Sequence, residues 1–136
     1  MGTQASSITT RIVEAVAERA RSGDPVRMLG LTGPPGTGKS TIAAQLAVAL
    51  PEAGIAVAGL VPMDGFHMSN ALLAERGLAD HKGAPDTFDV GGYVAMLGRV
   101  RRADGIVLAP DYRRDLHEPV AASLAIEVDG VVITEG

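Results

Sequence analysis

Apolar and polar residues alternate along this chain with two different periods. Over residues 7–21, Ile8, Ile12, Ala15, Val16 and Ala20 recur at helical spacing. That predicts an amphipathic helix, with Ser6 or Ser7 to cap its start and Arg19 and Arg21 suited to its end. After the turn Gly23-Asp24-Pro25, residues 26–32 form an apolar run without alternation, as a parallel strand buried on both faces would. Helical spacing returns over 41–50, with Ile42, Leu46, Ala49 and Leu50 on one side and Pro51 marking the limit. A second buried strand is predicted at 55–62. The right-handed crossover rule makes these strands parallel and brings their C-terminal ends to one edge of the sheet, where ligands of open α/β sheets bind.

Further on, 69–76 reads as a short helix with Ser69 as N-cap, and 77–89 as a polar loop. Tyr93, Met96, Leu97 and Val100 space as a helix that ends in Arg99, Arg101 and Arg102. A third strand is predicted at 105–109, followed by a loop at 110–115. The last strands, 124–128 and 131–134, are predicted to form a hairpin through Asp129-Gly130, a favourable two-residue turn. The pattern as a whole is that of an α/β fold with a mostly parallel sheet.

The segment between the first strand and its helix is Gly33-Pro34-Pro35-Gly36-Thr37-Gly38-Lys39-Ser40, which meets every required position of the P-loop pattern. Glycines allow the backbone to curl so that N–H groups face a phosphate chain, and the following helix N-terminus adds partial positive charge. Lys39 supplies a full charge to the β- and γ-phosphates, and the Ser40 hydroxyl suits Mg²⁺. These eight residues with Thr41 are the candidate nucleotide-binding set, which implies ATP and Mg²⁺ as the cofactors.

Composition narrows the picture. A chain of 136 residues suggests a single domain, and with 46% hydrophobic and 3% aromatic residues its core must be aliphatic. A net charge of −4 disfavours a nucleic-acid-binding face. There is no cysteine, hence no disulfide framework or thiolate chemistry. The apolar run at 55–63 is too short to span a membrane, and residues 1–7 lack the charged and apolar regions of a signal peptide. A soluble cytoplasmic protein is the expectation, with self-association into a homo-oligomer compatible with it.

Asp64 follows the end of the second strand, where a carboxylate beside a γ-phosphate can take the proton of an attacking hydroxyl. Asp-Gly is also a common turn. Glu135 closes the apolar run Val131-Val132-Ile133-Thr134, the Walker-B-like place for a carboxylate facing Mg²⁺. Arg113 and Arg114 offer planar donor forks for an anion, one of them being a solvated residue. His67, His81 and His117 lack metal-ligand spacing. His67 either hydrogen-bonds a substrate or is structural.

Several segments together carry a resemblance: Met63-Asp64-Gly65-Phe66-His67, then Lys82-Gly83-Ala84-Pro85-Asp86-Thr87-Phe88-Asp89, then Ala109-Pro110-Asp111-Tyr112, then Thr134-Glu135-Gly136, in this order after a P-loop. From about Val26 onward the chain resembles the phosphoribulokinase/uridine kinase family, near type I pantothenate kinases and fructose-transport kinases. The resemblance implies a P-loop NTPase of three α/β/α layers and ATP- and Mg²⁺-dependent phosphorylation of a small molecule's hydroxyl. It implies Asp64 as catalytic base alongside Lys39, Ser40 and Glu135 as metal residues, and substrate contacts at Asp89, Tyr112, Arg113 and Arg114, to which His67 is added as a candidate from its own position. It also implies further strands, an arginine-bearing lid and an adenine-contacting loop beyond Gly136. Residues 1–136 are then expected to be the N-terminal portion of one kinase domain, with an exposed sheet edge and little turnover of its own.

Two alternatives stand beside the kinase. The octapeptide is also close to that of AAA+ ATPases, but those usually carry Asp-Glu where this chain has Thr134-Glu135. The third reading is a nucleotide-binding module that does not catalyse transfer.

Overall fold

The helix-period pattern at the N-terminus produces helix α1, Gly2–Arg21, in a computed structural model that describes residues 2–127 and 129–136. The helix starts earlier than the spacing predicts. Ser6 and Ser7 lie inside it, and the Ser6 carbonyl accepts the Thr10 hydroxyl at 3.0 Å. Nothing in Gln4-Ala5-Ser6 breaks a helix, so propensity extends it past the first apolar residue. Val128, which closes the strand predicted at 124–128, lies outside the described residues.

The chain divides into two compact units, Met1–Leu60 with Glu127–Gly136, and Val61–Ile126. The first contains α1, strand β1 (Met28–Leu31), helix α2 (Lys39–Glu52), most of strand β2 (Val57–Pro62), and the last strand, here named β5 (Val131–Glu135). The sheet order is β1-β5-β2. β5 runs parallel to β1, with Met28 opposite Val132 and Leu31 opposite Glu135.

This overturns the predicted hairpin. Val131 N–H donates to the Ala56 carbonyl and Val132 N–H to the Arg27 carbonyl, so the strand is inserted between its neighbours in the sheet. It also makes β5 the central strand. Val131, Val132, Ile133 and Thr134 are all buried, whereas β1 is only half-buried and Gly30 is exposed. The uninterrupted apolar run of a doubly buried strand is realised in β5.

Val16 of α1 packs with Ala43, Leu46 and Leu50 of α2 and with Val131 and Ile133 of β5. Ile42 and Ala49, predicted as core, are half-buried, and of the two only Ile42 packs against this cluster. Pro51 does not end α2 but sits in its last turn. Gly54 N–H donates to the Pro51 carbonyl and Ile55 N–H to Leu50, the paired bonds of a Schellman closure.

The second unit contains helix α3 (Asn70–Glu75), helix α4 (Val90–Arg101) and a ribbon of strands β3 (Val107–Arg113) and β4 (Glu118–Ile126). Ser69 caps α3 as predicted, its hydroxyl accepting Leu72 N–H at 3.2 Å. The predicted polar loop carries short 3₁₀ turns at Ala79–His81 and Pro85–Thr87. The predicted loop at 110–115 is mostly strand. β3 continues through Pro110 to Arg113 and pairs antiparallel with β4. Proline survives there because the register shifts between Ala109 and Asp111, where the ladder asks no N–H of it.

Leu46 is fully buried in the first unit's core. Leu46→Ala is expected to lower stability by about 2–5 kcal/mol in denaturant unfolding. A loss below about 1 kcal/mol would show that helix α2 does not unfold together with the sheet.

Candidate functional site

In the first unit, the strand–loop–helix connection makes a phosphate cradle. Gly36 and Gly38 have φ of 79° and 88°, a left-handed region that side chains resist, so the curl of the loop rests on them. Gly38 caps α2 without any side-chain hydrogen bond, which leaves the first-turn N–H groups to an anion. Thr37 Oγ1 donates to the Pro34 carbonyl at 2.8 Å, and Lys39 Nζ donates to the Gly33 carbonyl. Pro34, Pro35, Gly36, Thr37, Gly38, Ser40 and Thr41 are exposed; Gly33 and Lys39 are half-buried.

Ser40 Oγ lies 3.1 Å from each carboxylate oxygen of Glu135, across 95 residues of sequence. The parallel register of β1 and β5 sets this contact, and Gly136 N–H completes it by donating to the Leu31 carbonyl at 3.0 Å. A hydroxyl and a carboxylate are hard oxygen donors, the type that suits Mg²⁺ held jointly with phosphates. The cradle and this oxygen pair therefore fit a nucleotide and its metal. Among the described residues, no group of three or more His, Cys, Asp or Glu side chains gathers as a separate metal site. An open groove of about 800 Å³ runs between α1 and α2 and includes Ser40 and Thr41 in its lining, but not residues 33–38. We assign it no phosphate role.

In the second unit, Asp64 is exposed on a 3₁₀ turn, Met63–Phe66, that continues directly from β2. Gly65 holds this turn in place. A Cβ there would stand 2.3 Å from the Pro110 carbonyl oxygen, so only glycine permits the approach of the turn to β3. His67 Nδ1 is 2.7 Å from the Asp64 carbonyl oxygen. A carbonyl only accepts, so Nδ1 carries the proton and donates. The ring of His67 packs between Phe88 at 4.1 Å and Tyr112 at 4.9 Å. Phe66 packs on Tyr93 at 5.2 Å.

Other predicted contacts have local partners. Asp89 caps α4, its Oδ1 accepting Gly92 N–H at 2.9 Å, while its own N–H donates to the Phe66 carbonyl at 2.7 Å. Arg113 and Asp115 form a two-pronged pair, at 2.9 Å from Nε and 2.7 Å from Nη2. That hydrogen bonding raises the Arg113 pKa and lowers that of Asp115. Stability from Asp115 is thus present above its unfolded pKa and lost as pH falls through the lowered one. Both groups are solvated, so the effect is small. Arg114 is exposed and has no ion-pair partner among the described residues.

The fold thus gathers Lys39, Ser40 and Glu135 in one unit, and Asp64, His67 and Tyr112 in the other. Sequence reasoning missed Phe88 and Lys82 as part of the aromatic cluster. Lys82 Nζ lies 5.2 Å from the centroid of Tyr112. Both lie within the segment 82–89 that carried the resemblance, so the signal was present without a role attached.

Known proteins resemble this chain in sequence and fold. Residues 3–77, just over half of the chain, match the family model described as methylmalonyl Co-A mutase-associated GTPase MeaB. The uncharacterized protein YggC of Escherichia coli K12 is 40% identical over 109 residues, covering 78% of this chain and 44% of that protein. A pantothenate kinase of Limosilactobacillus reuteri is 31% identical over 114 residues, covering 80% of this chain and 36% of that enzyme. A crystal structure described as a "putative fructose transport system kinase", from Silicibacter sp. TM1040, superposes with a TM-score of 0.84 at 35% identity, covering 94% of this chain and 62% of that one. The chain spans less than half the length of these two curated relatives. The MeaB match covers the P-loop portion, while the kinase matches extend over about four-fifths of the chain and take in the segments beyond it. The chain belongs to the P-loop NTPase family that the MeaB model represents, and its homologues are pantothenate kinase- and uridine kinase-like P-loop kinases.

Proposed function

We propose that this chain carries the phosphate-binding and acceptor-binding parts of an ATP-dependent kinase that phosphorylates a hydroxyl of a small molecule, such as a nucleoside, a sugar or a pantothenate-like compound. The observation that carries the acceptor half is the Asp64 turn. Its carboxylate is exposed, its backbone is pinned by Gly65 against Pro110, and an aromatic surface adjoins it through His67. Hydrolysis alone has no need of such a surface.

Lys39 and the first-turn N–H groups of α2 would hold the triphosphate, and Ser40 and Glu135 would hold Mg²⁺. The metal, when bound, neutralises charge on the phosphates. Asp64 takes the proton of the acceptor hydroxyl as that oxygen bonds to the γ-phosphorus. The bond from the γ-phosphorus to the bridging oxygen breaks, leaving ADP and a phosphate ester. His67 and Tyr112 position the acceptor; Arg114 is the better placed of the arginines to meet an anion, since Arg113 is engaged with Asp115. Among the described residues no helix is long and apolar enough to cross a membrane. The net charge of −4 fits no nucleic-acid partner.

The MeaB match favours a second reading, a GTPase without an acceptor. ADP and GDP release, measured with and without a panel of nucleosides, sugars and pantothenate, separates the two. Nucleotide release that ignores every acceptor would sink the kinase reading.

Asp64→Asn is expected to slow transfer by about 10²–10⁴-fold, with ATP affinity changed little. A matching loss of ATP binding would make Asp64 structural or a metal ligand instead. Lys39→Ala is expected to weaken ATP binding by about tenfold or more, read by calorimetric titration. Unchanged affinity would refute the phosphate role of the lysine.

A further inference from the structure

Lys82 is a half-buried cation without a counter-charge among the described residues. Its Nζ donates to Asn70 Oδ1 at 2.7 Å and to the His117 carbonyl, both neutral oxygens. Among the described residues no carboxylate forms an ion pair with it, although Arg19, Arg21, Arg102 and Arg113 each have one. Glu118, the acidic residue close to this corner, has its Oε1 on Asn70 N–H at 2.8 Å. An ammonium has three donors, so one remains after these two bonds. Charge withdrawn from water is costly unless paired, and the Tyr112 ring at 5.2 Å compensates only in part.

The position of this cation gives it a use. Contacts run without a gap from Lys82 to Tyr112, from Tyr112 to His67, and from His67 Nδ1 to the Asp64 carbonyl. Asp89 and Asp111 each have an oxygen on a backbone N–H, of Gly92 and of Tyr112, and Asp86 is exposed and forms no ion pair with Lys82 among the described residues. From this arrangement we propose that the acceptor is an anionic hydroxy compound, and that Lys82 is the specificity residue that receives its carboxylate or phosphate oxygen. The remaining ammonium donor meets the anionic end, the tilted rings of Tyr112 and His67 cover the carbon skeleton, and the hydroxyl is left toward the Asp64 turn. The proposal rests on the acceptor-site reading above and adds the charge of the substrate to it.

Binding tests this independently of turnover. Matched sets of compounds would be titrated into the full chain by calorimetry: glycerate, glycerol 3-phosphate and glycerol; gluconate, glucose 6-phosphate and glucose; pantothenate and pantothenol. In at least one set an anionic member is expected to bind about tenfold or more tighter than its neutral counterpart. Carboxylate and phosphate members within a set identify which oxygen group is read. Lys82→Gln is expected to erase that preference while leaving the neutral member's affinity unchanged, and Lys82→Arg to retain part of it. Loss of fold through the Asn70 and His117 ties would instead weaken all members together, and a thermal melt detects it. Should Lys82→Gln melt early, Lys82→Arg alone decides, since it keeps the charge and alters its geometry. Equal binding of charged and neutral members, an acid preference that survives Lys82→Gln, or no binding in any set would overturn the proposal. Acceptor-independent ADP release alongside a Lys82-dependent acid preference would instead remove the kinase reading and leave the anion site standing.

Discussion

Ser40 reaches Glu135 because β5, the last strand in sequence, enters the sheet between β1 and β2. The parallel register places Leu31 opposite Glu135, so the end of the strand falls beside the start of α2. A slip of one residue would turn the carboxylate to the other face of the sheet. The same insertion buries Val131, Val132, Ile133 and Thr134 and supplies Val131 and Ile133 to the core shared by α1 and α2. Burial of those aliphatic side chains and placement of the Glu135 carboxylate beside Ser40 are therefore one event. The phosphate cradle, built of exposed and glycine-dependent backbone, has little cohesion of its own and depends on the packed helix and strand that flank it.

In the second unit the constraint is closeness. Gly65 brings the Asp64 turn against Pro110, at a distance that excludes any side chain. Proline is tolerated there by an irregularity in the β3–β4 ladder. The turn is then tied at its other end by the His67 ring, which donates to the Asp64 carbonyl and is held by Phe88 and Tyr112. A carboxylate on a tightly held turn suits proton transfer, which is sensitive to displacement of the base. The residues that hold it come from a turn, a loop and a strand, so no local sequence signal specifies them together.

Much of the fold was legible because hydrophobic period and turn chemistry agreed. The helices at α1, α2, α3 and α4 follow from spacing and caps, and the P-loop letters state their backbone requirement outright. The errors have a common cause. Asp129-Gly130 is a good hairpin turn locally, yet β5 has four successive buried residues and needs neighbours on both edges, which a two-stranded hairpin does not provide. Residues 110–115 read as a loop, but a long-range pairing with β4 carries the strand through Tyr112 and Arg113. Asp89 also caps α4, a local role that the Asp-Val-Gly-Gly sequence announces beside its expected substrate contact.

The sequence by itself determined the phosphate cradle, since eight contiguous residues contain all its chemistry and contiguous residues need no tertiary information to be neighbours. It determined also that Asp64 and Glu135 stand at strand ends. Tertiary structure alone decided which strand is central, that Ser40 and Glu135 touch, and that Lys82 lies by Tyr112 with no acidic partner among the described residues. Those facts depend on strand order and on contacts between residues 30 to 95 positions apart, and neither is encoded in any local period of the chain.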